Sequence, residues 1–374
     1  MKQQVQLAVV GGGASGLLCA AKAAQALGGE GVCILEAGKR VGTKLLATGN
    51  GRCNLTNMRA APEHYHGDAA EAAPILAAYP PARVLETFRE LGLLFREEGE
   101  GRVYPYSMQA SSVLNLLRGR LQALGVEECC EFEVCTVRRE GGGFRLTAAD
   151  GRSLWARRCV LAAGGKSQSK FTGYELARQL GHSVTPLRPG LCPIFVREQK
   201  RALALKGVRA LGAVTLLRGE REVARSSGEI QFTAQGLSGI CIFELARFAR
   251  PDDVLSLDLA PDLDAAELRF AAAAAGGSLQ GVLPKALAAV CTPESCRDLR
   301  FTVAQTAPFQ NAQVTAGGVP MAEVTGRCAS KKAPGLWLLG ELLNVDGDCG
   351  GFNLHWAWAT ALAAAEELSG EVAQ

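Results

Sequence analysis

The stretch from Val5 to Glu36 constrains the fold of this chain more than any other. An apolar run predicts a strand, a glycine-rich turn and an alanine-rich helix follow it, and a second apolar run, 32–35, predicts another strand. The turn has the spacing G-x-G-x-x-G, formed by Gly11, Gly13 and Gly16. Glu36 follows the second strand, about twenty residues after the last glycine. This order predicts a βαβ unit of the dinucleotide-binding type.

Each part of such a unit has a distinct physical role. Gly11 permits the tight turn, Gly13 lets the backbone approach a pyrophosphate, and Gly16 lets the helix pack close to the strand. The helix N-terminus offers unpaired N–H groups and the positive end of its dipole to phosphates. Glu36 can accept hydrogen bonds from a ribose 2′-hydroxyl but would repel a phosphate there, so we expect the adenosine end not to be that of NADP.

Composition and charge argue against several classes of partner. The chain has 374 residues, enough for two or three domains, and 48% are hydrophobic, as in a compact α/β enzyme. The net charge of +3 predicts no nucleic-acid or membrane partner, and no apolar run reaches the roughly eighteen residues of a membrane span. The 13 cysteines show neither a disulfide framework nor zinc-type spacing, so we expect a cytoplasmic protein with no metal site.

The order of strand-like and helix-like segments predicts a doubly wound α/β fold with an insertion. Alternating residues over 130–162 resemble a β-meander, and three prolines within 186–193 mark a boundary. We therefore expect a discontinuous nucleotide-binding domain over 1–186 and 308–374. The insertion, 187–307, is expected to have a β part over about 187–260 and a helical part over about 261–300.

The C-terminal segment mirrors the N-terminal unit, with a strand, a glycine-rich loop and a helix in that order. Gly340 and Glu341 lie at the carboxyl end of the predicted strand, and Gly350 and Gly351 precede the final helix. Ligands of a doubly wound sheet bind beyond the carboxyl ends of its strands. Two such junctions could hold the two ends of one extended cofactor, with the last helix N-terminus facing the negative charge of a reduced flavin.

The chain resembles the YhiN/BaiN-type FAD-dependent oxidoreductases of the glutathione-reductase-like superfamily. The resemblance covers nearly the whole length and rests on VVGGGASGL (9–17), KLLATGNGRCNLTN (44–57), VLAAGGKS (160–167), VTAGGV (314–319) and LLGELLNVDGDCGGFNLHWAWATA (338–361). It implies a GR2-type FAD-binding Rossmann domain with an inserted β-rich domain and a small helical part. The cofactor-binding residues that it implies are Gly11, Gly13, Ala14, Ser15, Gly16, Glu36, Ala37, Lys44, Gly51, Arg52, Cys53, Ala163, Gly164, Gly340, Glu341, Asp346, Gly351, Asn353 and Leu354.

The resemblance also implies which part of FAD each group contacts. The turn at 11–16 would hold the pyrophosphate, Glu36 the adenosine ribose, and the 44–53 segment the flavin and its phosphates. Ala163 and Gly164 would pass near the adenine and pyrophosphate, the 340–346 segment near the ribitol, and the 351–354 backbone near the flavin pyrimidine edge. One departure is a loop after Gly165 that is several residues shorter than the family's, which bears on substrate preference.

Three residues are candidates for catalysis: Arg52, Tyr104 and His355. A tyrosine or histidine beside a flavin could donate a proton to a substrate. His355, at a helix start where the family often has glutamine, could equally be a structural polar residue. Cys53 has no partner cysteine two or four residues away, so packing or a weak contact with the cofactor is favoured over redox chemistry.

These features together predict an FAD enzyme that transfers a hydride between flavin and a small organic substrate. The favoured reaction, implied by the resemblance, is reduction of conjugated C=C or oxo compounds of the steroid or bile-acid kind. NADH or NADPH would bind transiently as electron donor, because no second nucleotide-binding turn follows a strand. The alternatives are an FAD-dependent amine oxidase or dehydrogenase, an RNA-modifying flavoprotein and a non-catalytic flavin-binding redox sensor.

Overall fold

The computed structural model describes residues 3–167 and 173–370 of the chain. They form two compact units: the Rossmann unit, Met1–Arg188 with Thr315–Gln374, and the inserted unit, Pro189–Val314. The inserted unit extends beyond the predicted 307 because the segment after its last strand stays bonded to it, with the Gln313 N–H donating to the Leu191 carbonyl at 3.1 Å. The shortened loop after Gly165 includes residues 168–172, which lie outside the described residues.

The strands, numbered in chain order, are β1 (Gln4–Val10), β2 (Val32–Leu35), β3 (Thr56–Asn57), β4 (Tyr65–Gly67), β5 (Phe95–Glu98), β6 (Arg102–Pro105), β7 (Glu127–Cys129), β8 (Val134–Glu140), β9 (Gly143–Ala148), β10 (Ser153–Leu161), β11 (Arg188–Gly190), β12 (Ile194–Val196), β13 (Arg209–Arg218), β14 (Arg221–Phe232), β15 (Gly236–Ser238), β16 (Val254–Asp258), β17 (Leu299–Thr306), β18 (Val314–Ala316), β19 (Leu336–Leu338) and β20 (Val345–Gly347). The helices are α1 (Ala14–Leu27), α2 (Thr43–Ala47), α3 (Ala69–Ala78), α4 (Pro81–Glu90), α5 (Ala110–Leu124), α6 (Tyr174–Gln179), α7 (Gln199–Ala204), α8 (Ile240–Ala246), α9 (Ala265–Ala274), α10 (Lys285–Ala288) and α11 (Phe352–Gly370).

The main sheet of the Rossmann unit has the strand order β7-β2-β1-β10-β9-β8, with β19 also pairing with β10. The strands β7, β2, β1, β10 and β19 run parallel, so their carboxyl ends lie at one edge. Apolar residues such as Leu7, Val9 and Ile34 are fully buried in these strands. Burial of each such side chain stabilises the fold by about 1.5–3 kcal/mol. The meander predicted over 130–162 forms the antiparallel strands β8, β9 and the first half of β10.

Helices α1 and α11 pack against each other beside this sheet. Both are rich in alanine and are buried along most of their length, which lets their backbones approach closely. Trp356 and Trp358 of α11 are buried and donate hydrogen bonds to the carbonyls of Gly340 and Leu55, at 3.1 and 2.9 Å. These bonds fix the start of α11 beside the strand-end loops. Among the described residues, no helix is both long enough and apolar enough to cross a membrane.

The inserted unit contains a closed barrel with the strand order β12-β15-β14-β13-β16-β17. Strand β17 closes it by pairing with both β12 and β16, which leaves no free sheet edge among these strands. Its core includes the buried residues Val214, Leu255 and Phe301. The predicted helical part corresponds to α9 and α10, and Asp264 caps α9 through a capping box with Glu267. The predicted fold class, a doubly wound Rossmann domain with an inserted β-rich domain and a small helical part, is confirmed.

Candidate functional site

The glycine turn after β1 leaves open space at one of its three positions. Gly11 has φ +103°, and a Cβ there would lie 2.5 Å from the Ala162 carbonyl oxygen. A Cβ on Gly16 would lie 2.0 Å from the Gly11 carbonyl oxygen. Among the described residues, no atom lies within 4 Å of the would-be Cβ of Gly13. Gly11 and Gly16 are therefore required for packing, whereas Gly13 leaves room for a ligand beside the backbone.

The N-terminus of α1 adjoins this open space. Gly13 is the N-cap residue, and within the described part of the chain no side chain caps the first turn. The N–H groups of Ala14, Ser15 and Gly16 precede the first intrahelical bond, which Leu17 makes to the Gly13 carbonyl at 3.0 Å. A helix of 14 residues adds the positive end of its dipole here. The geometry suits a bound pyrophosphate.

Glu36 at the end of β2 is held by the glycine turn itself. Its Oε2 accepts a hydrogen bond from the Gly12 N–H at 2.8 Å, and its Oε1 accepts one from the Gly38 N–H at 2.7 Å. Each carboxylate oxygen retains a second lone pair that can accept a bond from a ribose hydroxyl. Ala37, the next residue, lines an open cavity of about 400 Å³ together with Glu131. The cavity thus adjoins Glu36, because its lining includes the two residues that follow Glu36 in the chain.

Lys44 of α2 and Glu341, which follows β19, bring an ammonium group and a carboxylate together. Lys44 Nζ lies 2.6 Å from Glu341 Oε2, and Glu341 Oε1 accepts a hydrogen bond from the Thr315 N–H at 2.7 Å. Ala163 and Gly164 follow β10, and Gly164 has φ +67° with its would-be Cβ 3.9 Å from Glu341 Oε2. The structure therefore places Lys44 and Glu341, two predicted cofactor residues, in direct contact.

Gly340, the residue before Glu341, lies close to the start of α1, which follows the glycine turn. It has φ +62°, and a Cβ there would lie 3.1 Å from Ser15 Oγ on α1. Its N–H donates to Thr360 Oγ1 of α11 at 3.0 Å, and its carbonyl accepts from Trp356. Three elements that carry predicted site residues, namely α1, the β19 end and α11, thus meet at Gly340.

The loop 48–53 has an unusual backbone. Gly49, Asn50, Gly51 and Cys53 all have positive φ, at +57°, +55°, +83° and +60°. For the non-glycine residues this conformation costs roughly 1–2 kcal/mol each, and such strain clusters at functional sites. Cys53 is fully buried, and burial raises the pKa of its thiol to about 12. The thiol is therefore protonated at neutral pH, which favours packing over redox chemistry.

Arg52 lies over the aromatic ring of Tyr104. Its guanidinium carbon is 4.7 Å from the ring centroid, and its Nη1 lies 3.8 Å from Glu98 Oε2. The Arg52 side chain is 43% exposed, whereas Tyr104 on β6 is buried. The contact brings two of the three predicted catalytic residues together, with the cationic group on the solvent side.

The N-terminus of α11 is the second open helix end of the site. Gly350 and Gly351 have φ +123° and +105°, and a Cβ on Gly351 would lie 2.7 Å from the Thr56 carbonyl. The Asn353 side chain bonds both the N–H and the carbonyl of Gly347, each at 2.8 Å, which fixes the preceding loop. The first intrahelical bond runs from His355 to Gly351.

The backbone N–H groups of Phe352, Asn353 and Leu354 therefore precede the hydrogen-bonded part of α11. Asn54 Oδ1 lies within 2.8 Å of the would-be Cβ of Gly351 and is buried without a hydrogen-bond partner among the described residues. Asp346 is buried on β20, which pairs with β4. An unpaired buried acceptor beside an open helix N-terminus indicates that a further donor group belongs here.

His355 has no exposed surface. Its Nδ1 lies 2.8 Å from Thr56 Oγ1, and its Nε2 has no partner among residues 3–167 and 173–370. Burial lowers the pKa of His355 to about 4, so the ring is neutral at pH 7. The geometry links α11 to β3, and a proton-transfer role would require this region to open.

His64, His66 and Asp348, which are not among the predicted site residues, form a cluster close to the N-terminus of α11. His64 Nδ1 and His66 Nε2 lie 3.1 and 2.7 Å from the two oxygens of Asp348, and the His64 ring stacks on Phe352 at 4.4 Å. Both imidazoles are about one third exposed. The H-Y-H and D-G-D patterns were the available signal, but only the pairing of β4 with β20 brings them together.

The described residues fit an extended dinucleotide such as FAD. One helix N-terminus with open space at Gly13 suits the pyrophosphate, and Glu36 with the adjoining cavity suits the adenosine. The second helix N-terminus, beside the unpaired Asn54 oxygen, suits the polar edge of a flavin ring. The individual contacts of the predicted site residues with FAD stay predictions.

The chain is similar to known proteins over nearly its whole length. Residues 5–367 match the family described as "HI0933-like protein Rossmann domain". The 3-dehydro-bile acid Δ(4,6)-reductase of Clostridium scindens is 37% identical over 402 residues, covering 96% of this chain and 98% of the relative. The ribosomal RNA dihydrouridine synthase of Escherichia coli is 29% identical over 396 residues, covering 96% and 97%.

Solved structures share the fold at low sequence identity. A flavocytochrome c3 fumarate reductase in an open conformation aligns with a TM-score of 0.56 and 14% identity, covering 100% of this chain and 79% of the other. At that identity the likeness concerns the fold alone.

Proposed function

The chain belongs to the HI0933-like Rossmann family and is an FAD-dependent oxidoreductase, and from that premise we propose that it reduces a carbon–carbon double bond conjugated to a carbonyl group. The proposed substrate is a small steroid- or bile-acid-like compound, and the proposed electron donor is NADH or NADPH. The observation that carries this proposal is the 37% identity, across nearly both whole chains, to a relative named as a bile-acid Δ(4,6)-reductase. We also propose a cytoplasmic location, which the thirteen cysteines without a disulfide-type spacing support.

FAD supplies the hydride chemistry when it is bound. We propose that the α1 N-terminus at Gly13 holds its pyrophosphate, that Glu36 holds the adenosine ribose, and that the N-terminus of α11 faces the flavin pyrimidine edge. The Lys44–Glu341 pair would face the ribitol, where the carboxylate can accept hydroxyl hydrogen bonds. The two open helix ends and the fixed carboxylates support these proposed positions.

Reduction of a conjugated double bond requires a hydride at one carbon and a proton at its neighbour. Among the predicted catalytic residues, Tyr104 is the proposed proton donor, because its phenol carries a transferable proton and its ring lies against the exposed Arg52. Arg52 would stabilise negative charge that develops on the substrate carbonyl. His355 is proposed as a positioning residue that holds the start of α11 against Thr56.

The first test separates flavin reduction from substrate reduction. The purified protein is titrated anaerobically with NADH and then NADPH while the visible flavin spectrum is recorded. Bleaching by either nucleotide, followed by reoxidation with a 3-oxo-Δ4 steroid, is the expected result. A yellow protein that neither nucleotide bleaches would contradict the proposed electron donor. Failure of every conjugated enone to reoxidise the bleached flavin would contradict the proposed reaction.

A matched pair of tyrosine variants tests the proton donor. Tyr104→Phe should slow reoxidation by the enone by about 10²–10⁴-fold, the usual contribution of a general acid. Tyr106→Phe is the control, because Tyr106 lies on the same segment but is 62% exposed and contacts Arg96 instead. Equal rates in the two variants would exclude Tyr104 as the donor.

A second candidate substrate is RNA, favoured by the relative named as a ribosomal RNA dihydrouridine synthase. Formation of dihydrouridine also reduces a C=C bond conjugated to a carbonyl, so the same residues could serve either substrate. The low net charge of +3 argues against a strong electrostatic RNA surface. The test is dihydrouridine content of ribosomal RNA after incubation with the protein and NADH or NADPH, together with a salt-sensitive gel shift.

A further inference from the structure

A cluster of two thiols and a carboxylate lies at the edge of the main sheet, apart from the residues assigned above. The strands β2 and β7 run parallel, with Cys33 opposite Glu127 and Leu35 opposite Cys129. Side chains two residues apart share a face, so Cys33, Glu127 and Cys129 point to the same side. One ligand atom from each of the three lies within 4.8 Å of the others.

The two sulfur atoms are 3.4 Å apart, with the Cys33 thiol donating to Cys129 Sγ. Cys33 is buried, whereas Cys129 and Glu127 are half-buried on β7, the terminal strand in the sheet order. Solvent can therefore reach the cluster from one side.

The backbone geometry disfavours a disulfide. Cys33 and Cys129 are diagonal neighbours, about 4.8 Å apart across the strands and about 6.6 Å along them, so their Cα atoms are separated by roughly 8 Å. Disulfides require Cα atoms within about 7 Å and sulfurs about 2.05 Å apart. Two thiolates on one tetrahedral zinc ion, at about 2.3 Å each, have sulfurs about 3.8 Å apart. The observed 3.4 Å is much nearer the zinc value.

We propose that Cys33, Glu127 and Cys129 bind a divalent cation of the zinc class, with water completing a tetrahedral site. Two sulfur ligands and one carboxylate are a donor set that zinc accepts and that magnesium and calcium avoid. The site would tie the terminal strand β7 to β2. The Glu36 N–H donates to the Cys129 carbonyl at 2.9 Å, so the cation would also stabilise the backbone at the start of the proposed adenosine site.

The test uses the full-length, flavin-bound protein, reduced with a phosphine and freed of reductant under argon. Zinc content after equilibrium dialysis against Zn²⁺ is measured by elemental mass spectrometry, and Cd²⁺ titration is followed through the ultraviolet thiolate-to-metal absorption. The variants are Cys129→Ser and Glu127→Gln. The control is Cys135→Ser, since Cys135 is an exposed cysteine on β8, outside the cluster.

The expected result is one tightly bound Zn²⁺ per chain in the wild type and the control, and its loss in Cys129→Ser. Glu127→Gln should weaken Zn²⁺ binding by about tenfold or more. Loss of a residue that only hydrogen-bonds to a metal ligand already has an effect of that size, and Glu127 is a proposed ligand itself. Absence of stoichiometric Zn²⁺ in the reduced wild type would overturn the proposal, as would its retention in Cys129→Ser. A Cys33–Cys129 cross-link that forms in air, in a protein that takes up no metal when reduced, would also overturn it and identify a redox pair instead.

Discussion

Replacement of Gly13 by alanine tests whether the open space at the α1 N-terminus is a binding site. Gly13 has φ −83°, which alanine adopts freely, and its would-be Cβ meets no atom of residues 3–167 and 173–370 within 4 Å. The fold should therefore accept the methyl group, with a loss of less than about 1 kcal/mol from the changed N-cap. A pyrophosphate lying against this backbone would be overpacked by about 1–3 kcal/mol, which raises the Kd for FAD by about 5–150-fold.

Gly11→Ala is the matched control, because its effect should fall on the fold. Its φ of +103° and the 2.5 Å approach to Ala162 combine a backbone cost of about 1–2 kcal/mol with overpacking of about 1–3 kcal/mol. The melting temperature of the flavin-free protein should fall by at least about 4 °C for Gly11→Ala and much less for Gly13→Ala. Fluorescence titration of FAD gives the two Kd values. A wild-type Kd for Gly13→Ala would refute the placement of the pyrophosphate beside Gly13.

Three further predictions follow from other contacts of the Rossmann unit. Gly351→Ala should lower the free energy of unfolding by about 2–5 kcal/mol, because its Cβ would lie 2.7 Å from the Thr56 backbone at a φ of +105°, and urea denaturation measures this loss. Glu36→Gln should raise the Kd for FAD by about 10–100-fold, since the charge that strengthens its hydrogen bonds is lost, and calorimetric titration would show no change if the carboxylate only supported the turn. Acidification should lower the free energy of unfolding of the wild type by about 3 kcal/mol through His355. The pKa of His355 is about 4 in the folded protein and ordinarily 6.5, so the unfolded chain binds the proton first. Stability should therefore fall as the pH drops from about 6.5 to about 4. In His355→Gln this part of the pH dependence should disappear, whereas His66→Gln, whose ring is half-buried, should retain it.

The parts of the fold that the sequence predicted are those with a local pattern. The run from β1 to Glu36 combines strand, turn, helix and strand within a few dozen residues, and each of its glycines can be interpreted by spacing alone. The insertion was visible because prolines and alternating residues replace the helix–strand rhythm. The closure of its strands into a barrel could not be predicted, because β17 pairs with β12 only after the intervening helices.

The contacts that the sequence could not predict join residues far apart in the chain. Lys44 and Glu341 are 297 positions apart, His64 and Asp348 are 284 apart, and Cys33 and Cys129 are 96 apart. Each of these contacts depends on which strands or strand ends are neighbours and on the register of their pairing. Local sequence spacing encodes neither the order of the strands nor their register. Burial is equally hard to predict from local sequence. The residue type of His355 suggested proton transfer, whereas its position in the first turn of α11 gives it no exposed surface.

The two ends of the inserted unit lie side by side, and so do the chain ends that flank it. Within the insertion, Gln313 bonds Leu191, and within the Rossmann unit the Thr185 N–H donates to the Gly318 carbonyl at 2.9 Å. A segment whose termini meet in this way can be removed, and the gap closed by a short linker, without redirecting the strands on either side. The architecture therefore predicts that the Rossmann unit can still fold when residues 189–314 are replaced by a short linker.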